Sequence, residues 1–277
     1  MKPARYVILN PSGNLTALVT EWGGAEDEAE LTARLMQESE QVAYLDPPSL
    51  PGAQARIRLM GGEFCGNAAM AAAGWLVRDR LRDGEEMTVP IEVSGAQGVL
   101  FCRILGKRDG FEGTVEMPRV KRVRPAEIGG IPVTEVQMEG ITHLIREGSE
   151  PLEKEKAEAI LKAFAEETAE EAAGLLDRNP ETGRMRPLVY VRGSGTLVWE
   201  SACGSGTAAI GALEAWRQGN GTVTTRVIQP GGTLRAEASA SGGEITEVRI
   251  TGLVAIGEEK ETALPQCGRA IQGKSTG

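Results

Sequence analysis

The sequence predicts an α/β (α+β) fold of two similar halves, each a curved, mostly antiparallel sheet wrapped round a central helix. The main observation is a repeated turn, because Cys65-Gly66-Asn67 and Cys203-Gly204-Ser205 each open an alanine-rich segment that is typical of a helix. The cysteines lie 138 residues apart (203 − 65), about half of the 277-residue chain, and strands are expected on both sides of each helix. The 36 glycines and 4% aromatic content suit a turn-rich sheet better than a helical bundle.

The first half opens with a hairpin around Pro11-Ser12-Gly13-Asn14. Segment 26–37 is acidic and carries leucines at helical spacing, so it predicts a helix. The helix after Cys65 is expected to end near residues 82–84. Strands are expected at 6–9, 15–19, 41–45, 55–60, 87–93, 98–105 and 113–117, followed by a basic edge strand or crossover at 119–125.

The second half repeats this order. Segment 151–176 is strongly acidic and alanine-rich, which predicts an amphipathic surface helix or helix pair. The helix after Cys203 is expected to end at Gln218-Gly219, a glycine C-cap. From about residue 258 the chain is polar and predicts turns. Strands are expected at 133–138, 141–145, 188–191, 195–199, 222–228, 233–238 and 245–256.

Three units follow from this order: an N-terminal domain at 1–125, a C-terminal domain at 126–260, and a tail at 261–277 that packs back on the first domain or is disordered.

The net charge of −9 argues against nucleic acid or an anionic membrane as partner. No run of about 18 apolar residues is present, so no membrane span is expected. The N-terminus lacks a signal-peptide pattern, which predicts a cytoplasmic protein. A homodimer is compatible with the sequence.

Cysteine usage points to thiol chemistry. The four cysteines include no C-x-x-C pair and the chain has one histidine, so neither a disulfide framework nor a zinc site is expected. Cys102, in an alternating strand, and Cys267, in the tail, are interpreted as inert. Cys65 and Cys203 differ from them because both stand in the repeated cysteine–glycine turn.

A thiol at a helix N-terminus is favoured as thiolate, and the free N–H groups there bind anions. Gly66 and Gly204 leave room for a ligand beside each thiol. Two such turns facing each other would hold one carboxylate through the N–H groups near Gly66, Asn67, Gly204 and Ser205. The chemistry that fits is proton removal from an α-carbon on one face and proton return on the other.

At these residues the chain resembles the diaminopimelate epimerase-fold family of cofactor-independent amino-acid racemases and epimerases. The likeness covers nearly the whole chain and is most specific at the two cysteine turns. The resemblance implies two pseudo-symmetric domains with the site between them, catalytic Cys65 and Cys203, a small amino-acid substrate, and no metal, PLP or nucleotide. Supporting similarities are Gly13-Asn14, Glu40-Gln41, the element from Gly140 to His143, Pro230-Gly231-Gly232 and Thr251-Gly252.

The departures from the family bear on the substrate. The Glu-Arg-Gly segment of diaminopimelate epimerase is missing unless a gap brings Arg192-Gly193 into register, and Ile141 replaces an asparagine. Glu63 and Glu200 instead place acids near the cysteines. This pattern is similar to the histidine racemases of opine-metallophore pathways, so histidine or another polar amino acid is the expected substrate, with diaminopimelate as the alternative.

Several alternatives stay open at this point. Asn14, Gln41 and His143 are substrate contacts by resemblance, yet a turn, a strand and a core role explain them as well. Glu63 and Glu200 would also complement helix dipoles. Two other functions compete with the isomerase: a non-catalytic amino-acid binding protein on the same fold, and a thiol redox sensor.

Overall fold

The structure, a computed structural model, describes residues 3–23, 28–168, 170–193 and 195–262. Within these ranges the helices are α1 (Glu28–Leu35), α2 (Gly66–Val77), α3 (Lys154–Glu167) and α4 (Gly204–Gln218). The strands are β1 (Ala4–Pro11), β2 (Thr16–Glu21), β3 (Gln41–Asp46), β4 (Arg56–Leu59), β5 (Glu86–Val93), β6 (Leu100–Lys107), β7 (Gly110–Glu116), β8 (Val120–Ile128), β9 (Ile131–Met138), β10 (Ile141–Glu147), β11 (Ala172–Asn179), β12 (Arg184–Val191), β13 (Thr196–Trp199), β14 (Gly221–Ile228), β15 (Thr233–Ser241) and β16 (Glu244–Thr262). This mostly stranded composition with few helices confirms the α+β class.

The strands join into one hydrogen-bonded sheet in the order β1-β2-β3-β4-β5-β6-β7-β16-β15-β14-β12-β11-β10-β9-β8, with β13 beside β12. The long strand β16 serves both halves. Its first part pairs with β15, its middle pairs with β7 from Arg249 opposite Glu116 to Val254 opposite Phe111, and its last part pairs with β1 as far as Thr262. Strands β1 to β7 therefore close into a ring through β16.

Helix α2 lies inside this ring, because it packs against β1, β2, β4, β5, β6, β7 and β16. All of its residues except Leu76 are buried, as expected of a helix that is apolar all round. Its small residues allow close approach: a Cβ added to Gly74 would lie 2.0 Å from the Phe111 ring. Helix α4 is the central helix of the second half, against β8, β9, β10, β14, β15 and β16.

The two outer helices each cover a separate apolar cluster. Helix α1 buries Leu31 and Leu35 with the aromatic ring of Tyr44, and α3 buries Leu161 and Phe164 against strands of the second half. Helices α2 and α4 contribute instead to one continuous core. The outer helices thus stabilise the sheet from outside, while the inner pair carries the two cysteine turns.

Three boundary predictions were wrong. Helix α2 ends at Val77 rather than near 82–84, because the Arg78 side chain donates to the carbonyl of Trp75 and its guanidinium stacks 3.3 Å from that ring's centroid. Residues 172–176 of the predicted helix at 151–176 form part of β11. That strand is buried between β10 and β12, so tertiary pairing overrides the helix propensity of its alanines and leucines.

The polar segment from residue 258 continues β16 to Thr262, since pairing with β1 satisfies its backbone. The rest of the predicted tail, including Cys267, lies outside the described residues. The division at 125/126 stays a prediction. Strand β8 crosses that point and pairs with β9.

Candidate active site

Each of the two repeated cysteines is the N-cap of a central helix. Cys65 has extended backbone angles (φ −134°, ψ 111°), and its sulfur accepts the N–H of Ala68 at 3.5 Å. Cys203 has similar angles (φ −110°, ψ 114°), and its sulfur accepts the N–H of Gly206 at 3.3 Å. The sequence folds this way because the residue that precedes a helix can accept an otherwise unpaired N–H. Both thiols thus lie at the positive end of a helix dipole.

The two cysteine turns face one cavity of about 480 Å³. Its remaining surface includes apolar side chains such as Met117, Met138 and Val189, and the exposed Arg192 lies at its wall. The structure therefore brings ten of the eleven sequence-predicted site residues together: Asn14, Gln41, Glu63, Cys65, Gly66, Asn67, Glu200, Cys203, Gly204 and Ser205.

His143 is the exception. It is fully buried on β10 and is not among the residues that line the cavity. Its Nε2 lies 2.9 Å from the hydroxyl of Ser205, which does line it. Burial lowers the pKa of His143 to about 3, so the ring is neutral. Any influence of His143 on a substrate therefore passes through Ser205.

Two hydrogen-bond links hold the cysteine turns together. The amide nitrogen of Asn67, next to the first turn, donates to the carbonyl of Ala202 at 3.1 Å. The carboxylate of Glu40 accepts from the side chain of Asn14 at 3.3 Å and from the backbone N–H of Ser201 at 3.4 Å. Parts of the site that lie far apart in the chain are therefore fixed relative to each other.

The surroundings of the two sulfurs differ. Burial raises the pKa of the Cys65 thiol to about 11, and hydrogen bonds from Ala68 and from the Gln41 side chain lower it in part. Burial also raises the pKa of Cys203 well above its ordinary value, and the neighbouring Glu200 carboxylate raises it further. The raised pKa of each sulfur favours the thiol over the thiolate that the helix dipoles predict, so a base has to take the proton of a cysteine before that cysteine can remove one from a substrate.

Glu200 is placed to be that base. Burial raises the pKa of this carboxyl to about 7, its hydrogen bond with Cys203 lowers it, and the charges of Glu40 and Glu63 raise it again. A carboxyl that titrates near neutrality can hold or release a proton at the operating pH. In Glu63, one carboxylate oxygen is buried with no hydrogen-bond partner among the described residues.

Sequence reasoning did not identify Gln229, which supports the second cysteine turn. The side chain of Gln229 accepts the N–H of Cys203 at 2.6 Å and donates to Thr207 at 3.0 Å, which fixes the second turn from behind. The one sequence signal for a role of Gln229 in the site is its position directly before the turn at Pro230. Arg192, which matches the family pattern only through a gap, lines the cavity. Its Nη2 donates to the carbonyls of Ala165 and Thr168 at 2.6 and 2.7 Å.

In the described ranges, no group of three or more His, Cys, Asp or Glu side chains is arranged to hold a metal ion. In the same part of the chain, no helix is long and apolar enough to cross a membrane.

Comparison with known proteins gives consistent results. A family model described as the histidine racemase CntK N-terminal domain matches residues 4–261. A histidine racemase of Staphylococcus aureus is 28% identical over 240 residues, covering 81% of this chain and 85% of that protein. A diaminopimelate epimerase of Xylella fastidiosa is 28% identical over 228 residues, covering 75% and 77%. The structure of a hydroxyproline epimerase from Agrobacterium vitis with bound trans-4-hydroxy-L-proline shares the fold, with a TM-score of 0.66 at 14% identity over 95% of this chain and 93% of that chain.

Proposed function

The chain belongs to the histidine racemase CntK N-terminal domain family and is an amino-acid racemase or epimerase, and from this premise we propose that it inverts the α-carbon of histidine with Cys65 and Cys203 as its two bases. The observation that carries the proposal is geometric: two cysteines, each capping a helix, line one cavity. Inversion needs an acid and a base on opposite faces of one carbon, and two converging thiols supply both.

The reaction balances without an added reagent. Glu200 takes the proton of the Cys203 thiol, and the resulting thiolate removes the α-proton of the substrate. The electron pair left on carbon delocalises into the α-carboxylate, which the N–H groups of the two helix N-termini bind. The thiol of Cys65 then gives its proton to the opposite face. The cycle closes when Glu200 releases the proton that it took and the Cys65 thiolate takes one up, and for the other enantiomer the roles of the cysteines are exchanged.

The polar groups of the cavity support a substrate side chain with N–H donors. Glu63 and Glu200 present carboxylates beside the cysteines, and Glu139 and Glu171 also line the cavity. The buried, unpartnered oxygen of Glu63 is a ready acceptor for an imidazole N–H. The substrate's ammonium group and an imidazole would both be attracted to these carboxylates, and neither needs a second anion site.

Diaminopimelate is the second candidate, because Arg192 lines the same cavity. A distal carboxylate would need this guanidinium. Its Nη2 is engaged by the carbonyls of Ala165 and Thr168 at the end of α3, so that nitrogen would have to leave these partners to bind a substrate. The four carboxylates of the cavity would also repel a second acidic end. Histidine is therefore preferred.

Both cysteines must be free thiols for this mechanism, and Cys65 and Cys203 are unpaired. A reducing compartment keeps them so, which supports an enzyme that acts in the cytoplasm.

The test is α-proton exchange in D₂O, followed by NMR, with reduced protein and L-histidine, D-histidine, or LL- and meso-diaminopimelate. We expect the α-proton signal of both histidine enantiomers to be lost while the optical activity decays to zero. Exchange of the diaminopimelates but not of histidine would replace the substrate assignment. Tight histidine binding without any exchange would contradict the thiol mechanism.

A further inference from the structure

A chain of contacts runs from the protein interior to the sulfur of Cys203. His143 Nε2 lies 2.9 Å from the Ser205 hydroxyl, and this hydroxyl lies 3.4 Å from the Cys203 sulfur. His143 is fully buried, whereas Ser205 is half-buried and lines the cavity. The histidine can therefore influence the thiol only through the serine.

The environment of the ring determines which nitrogen carries its proton. Nδ1 of His143 is buried without a hydrogen-bond partner among the described residues, and it faces Gly174, where an added Cβ would lie 2.1 Å from it. A neutral imidazole has one N–H, and a buried N–H without an acceptor is costly. The proton therefore belongs on Nε2, where it donates to the oxygen of Ser205. The hydroxyl proton of Ser205 is then directed to its other neighbour, the Cys203 sulfur.

The first cysteine turn is built differently. Asn67 stands where the second turn has Ser205, and its amide nitrogen donates to the carbonyl of Ala202 instead. The hydrogen bond that the Cys65 sulfur accepts comes from the backbone N–H of Ala68, at 3.5 Å. Among the described residues, the hydroxyl that His143 contacts thus lies beside the sulfur of Cys203.

We propose that His143 is a positioning residue that holds the Ser205 hydroxyl as a hydrogen-bond donor to the Cys203 thiolate. The inference deepens the proposed function, because it rests on Cys203 acting as a base there. In the Cys203 thiolate state, Ser205 donates to sulfur and Nε2–H of His143 donates to Ser205. Before the proton is transferred, the ionised carboxylate of Glu200 is the charged group that faces this sulfur, and it acts in the opposite direction by raising the pKa of Cys203.

The tautomer can be read in the unaltered protein, because His143 is the one histidine of the chain. Histidine labelled with ¹⁵N gives one pair of ring signals, and a long-range ¹H–¹⁵N spectrum identifies the protonated nitrogen. We expect a neutral ring with the proton on Nε2 and no titration between about pH 5 and 9. A proton on Nδ1, or a ring that becomes charged in this range, would overturn the proposal.

The contact that runs from His143 through Ser205 to Cys203, here called the relay, is tested by the rate at which iodoacetamide alkylates Cys203. Peptide mass spectrometry follows the reaction, so that alkylation of Cys65 is measured in the same sample. Ser205→Ala and His143→Leu are each expected to lower the Cys203 rate at fixed pH by about tenfold or more, the loss of one hydrogen bond to a charged acceptor. The double variant should be no slower than Ser205→Ala alone. His143→Gln, which retains an N–H donor, should recover part of the rate.

Independent effects that multiply in the double variant would show that His143 does not act through Ser205. An unchanged rate in Ser205→Ala would show that the hydroxyl is not a donor to sulfur. Alkylation needs no turnover, so the outcome is separate from the proposed function. If the unaltered protein racemises histidine and Cys203 is alkylated at the normal rate in both variants, the relay is refuted and the proposed function is not.

Discussion

The side-chain amide of Asn67 donates a hydrogen bond to the backbone carbonyl of Ala202, 135 residues further along the chain. Asn67 is buried at the start of α2, and Ala202 directly precedes the second cysteine. This bond therefore sets the position of one thiol relative to the other, and catalysis by two bases depends on that position.

Asn67→Ala is expected to lower the free energy of unfolding by about 1–3 kcal/mol, because it leaves the buried carbonyl of Ala202 unpaired. Urea unfolding measures this loss, and the same variant should lose at least tenfold in kcat. Asn220→Ala is the control, since that asparagine accepts a backbone N–H from Gly242 at an exposed turn. Equal losses of unfolding free energy and of kcat in the two variants would show that the hydrogen bond between the turns matters no more than one at an exposed turn.

Gly66 and Gly204 approach the same methyl group. A Cβ added to either would lie 2.9 Å from Cδ1 of Ile250, on the strand that the two halves share. Gly204→Ala should therefore destabilise the protein by about 1–3 kcal/mol through overpacking. Ile250→Val removes that methyl group and should restore part of the loss in the double variant. Gly193→Ala is the control for stability, because an added Cβ there meets nothing within 4 Å.

The repeated turn is what made the site predictable from sequence. Cys65 and Cys203 stand in the same cysteine–glycine turn, and packing alone does not require that turn twice. The sequence therefore predicts that the two thiols face each other. Gln229 could not be inferred in this way, because a glutamine before a proline turn carries no chemical signature. Its contact with the N–H of Cys203 exists only once β14 and β15 have paired.

The fold, too, contains parts that the local sequence predicts and parts that only long-range contacts determine. The alanine, glycine and leucine residues at 172–176 predict helix because they carry no strand alternation, and β11 lacks alternation because it is buried along most of its length. What determines its state is pairing with β10 and β12, together with the close approach of Gly174 to the His143 ring. Such contacts are long-range, and local propensity does not contain them.

The pH dependence of activity should report Glu200. Proton transfer from Cys203 needs the ionised carboxylate, and the pKa of Glu200 is raised to about 7, so kcat/KM for histidine should rise as pH increases through about 7. Glu200→Gln should lose this limb and lower kcat/KM by about 10²–10⁴-fold. Comparing the two proteins on one substrate cancels the substrate's own ionisation. An unchanged profile in the variant would assign the limb to another group.

The free energy of unfolding should also depend on Glu200, but the protonated form is the one that favours the folded state. The pKa of Glu200 is raised from 4.5 to about 7 in the folded protein, so the folded state holds the proton more tightly than the unfolded state. The resulting stabilisation is complete below about pH 4.5 and is lost as pH rises through about 7. At about pH 8, Glu200→Gln should therefore unfold with a free energy higher by about 1–3 kcal/mol, and at about pH 4 it should match the parent. Glu181→Gln, at an exposed turn, should show no such difference.

The two cysteines themselves give the most direct prediction. Serine is nearly isosteric but far less acidic, so Cys65→Ser and Cys203→Ser should each lower racemisation of histidine by at least about 10³-fold. Cys102→Ala, which alters a buried thiol on β6 away from the cavity, should keep near-normal activity with a small loss of stability.

The residual chemistry of the two serine variants is more informative than the loss. A remaining thiolate can still remove an α-proton and return a solvent deuteron from its own face, but it cannot reach the opposite face. Each variant should therefore exchange the α-proton of one enantiomer with retention, and the two variants should prefer opposite enantiomers. The measurement is deuterium incorporation into L- and D-histidine, analysed separately. If both variants favoured the same enantiomer, the cysteines would not act from opposite sides of the carbon, and the two-base mechanism would be excluded.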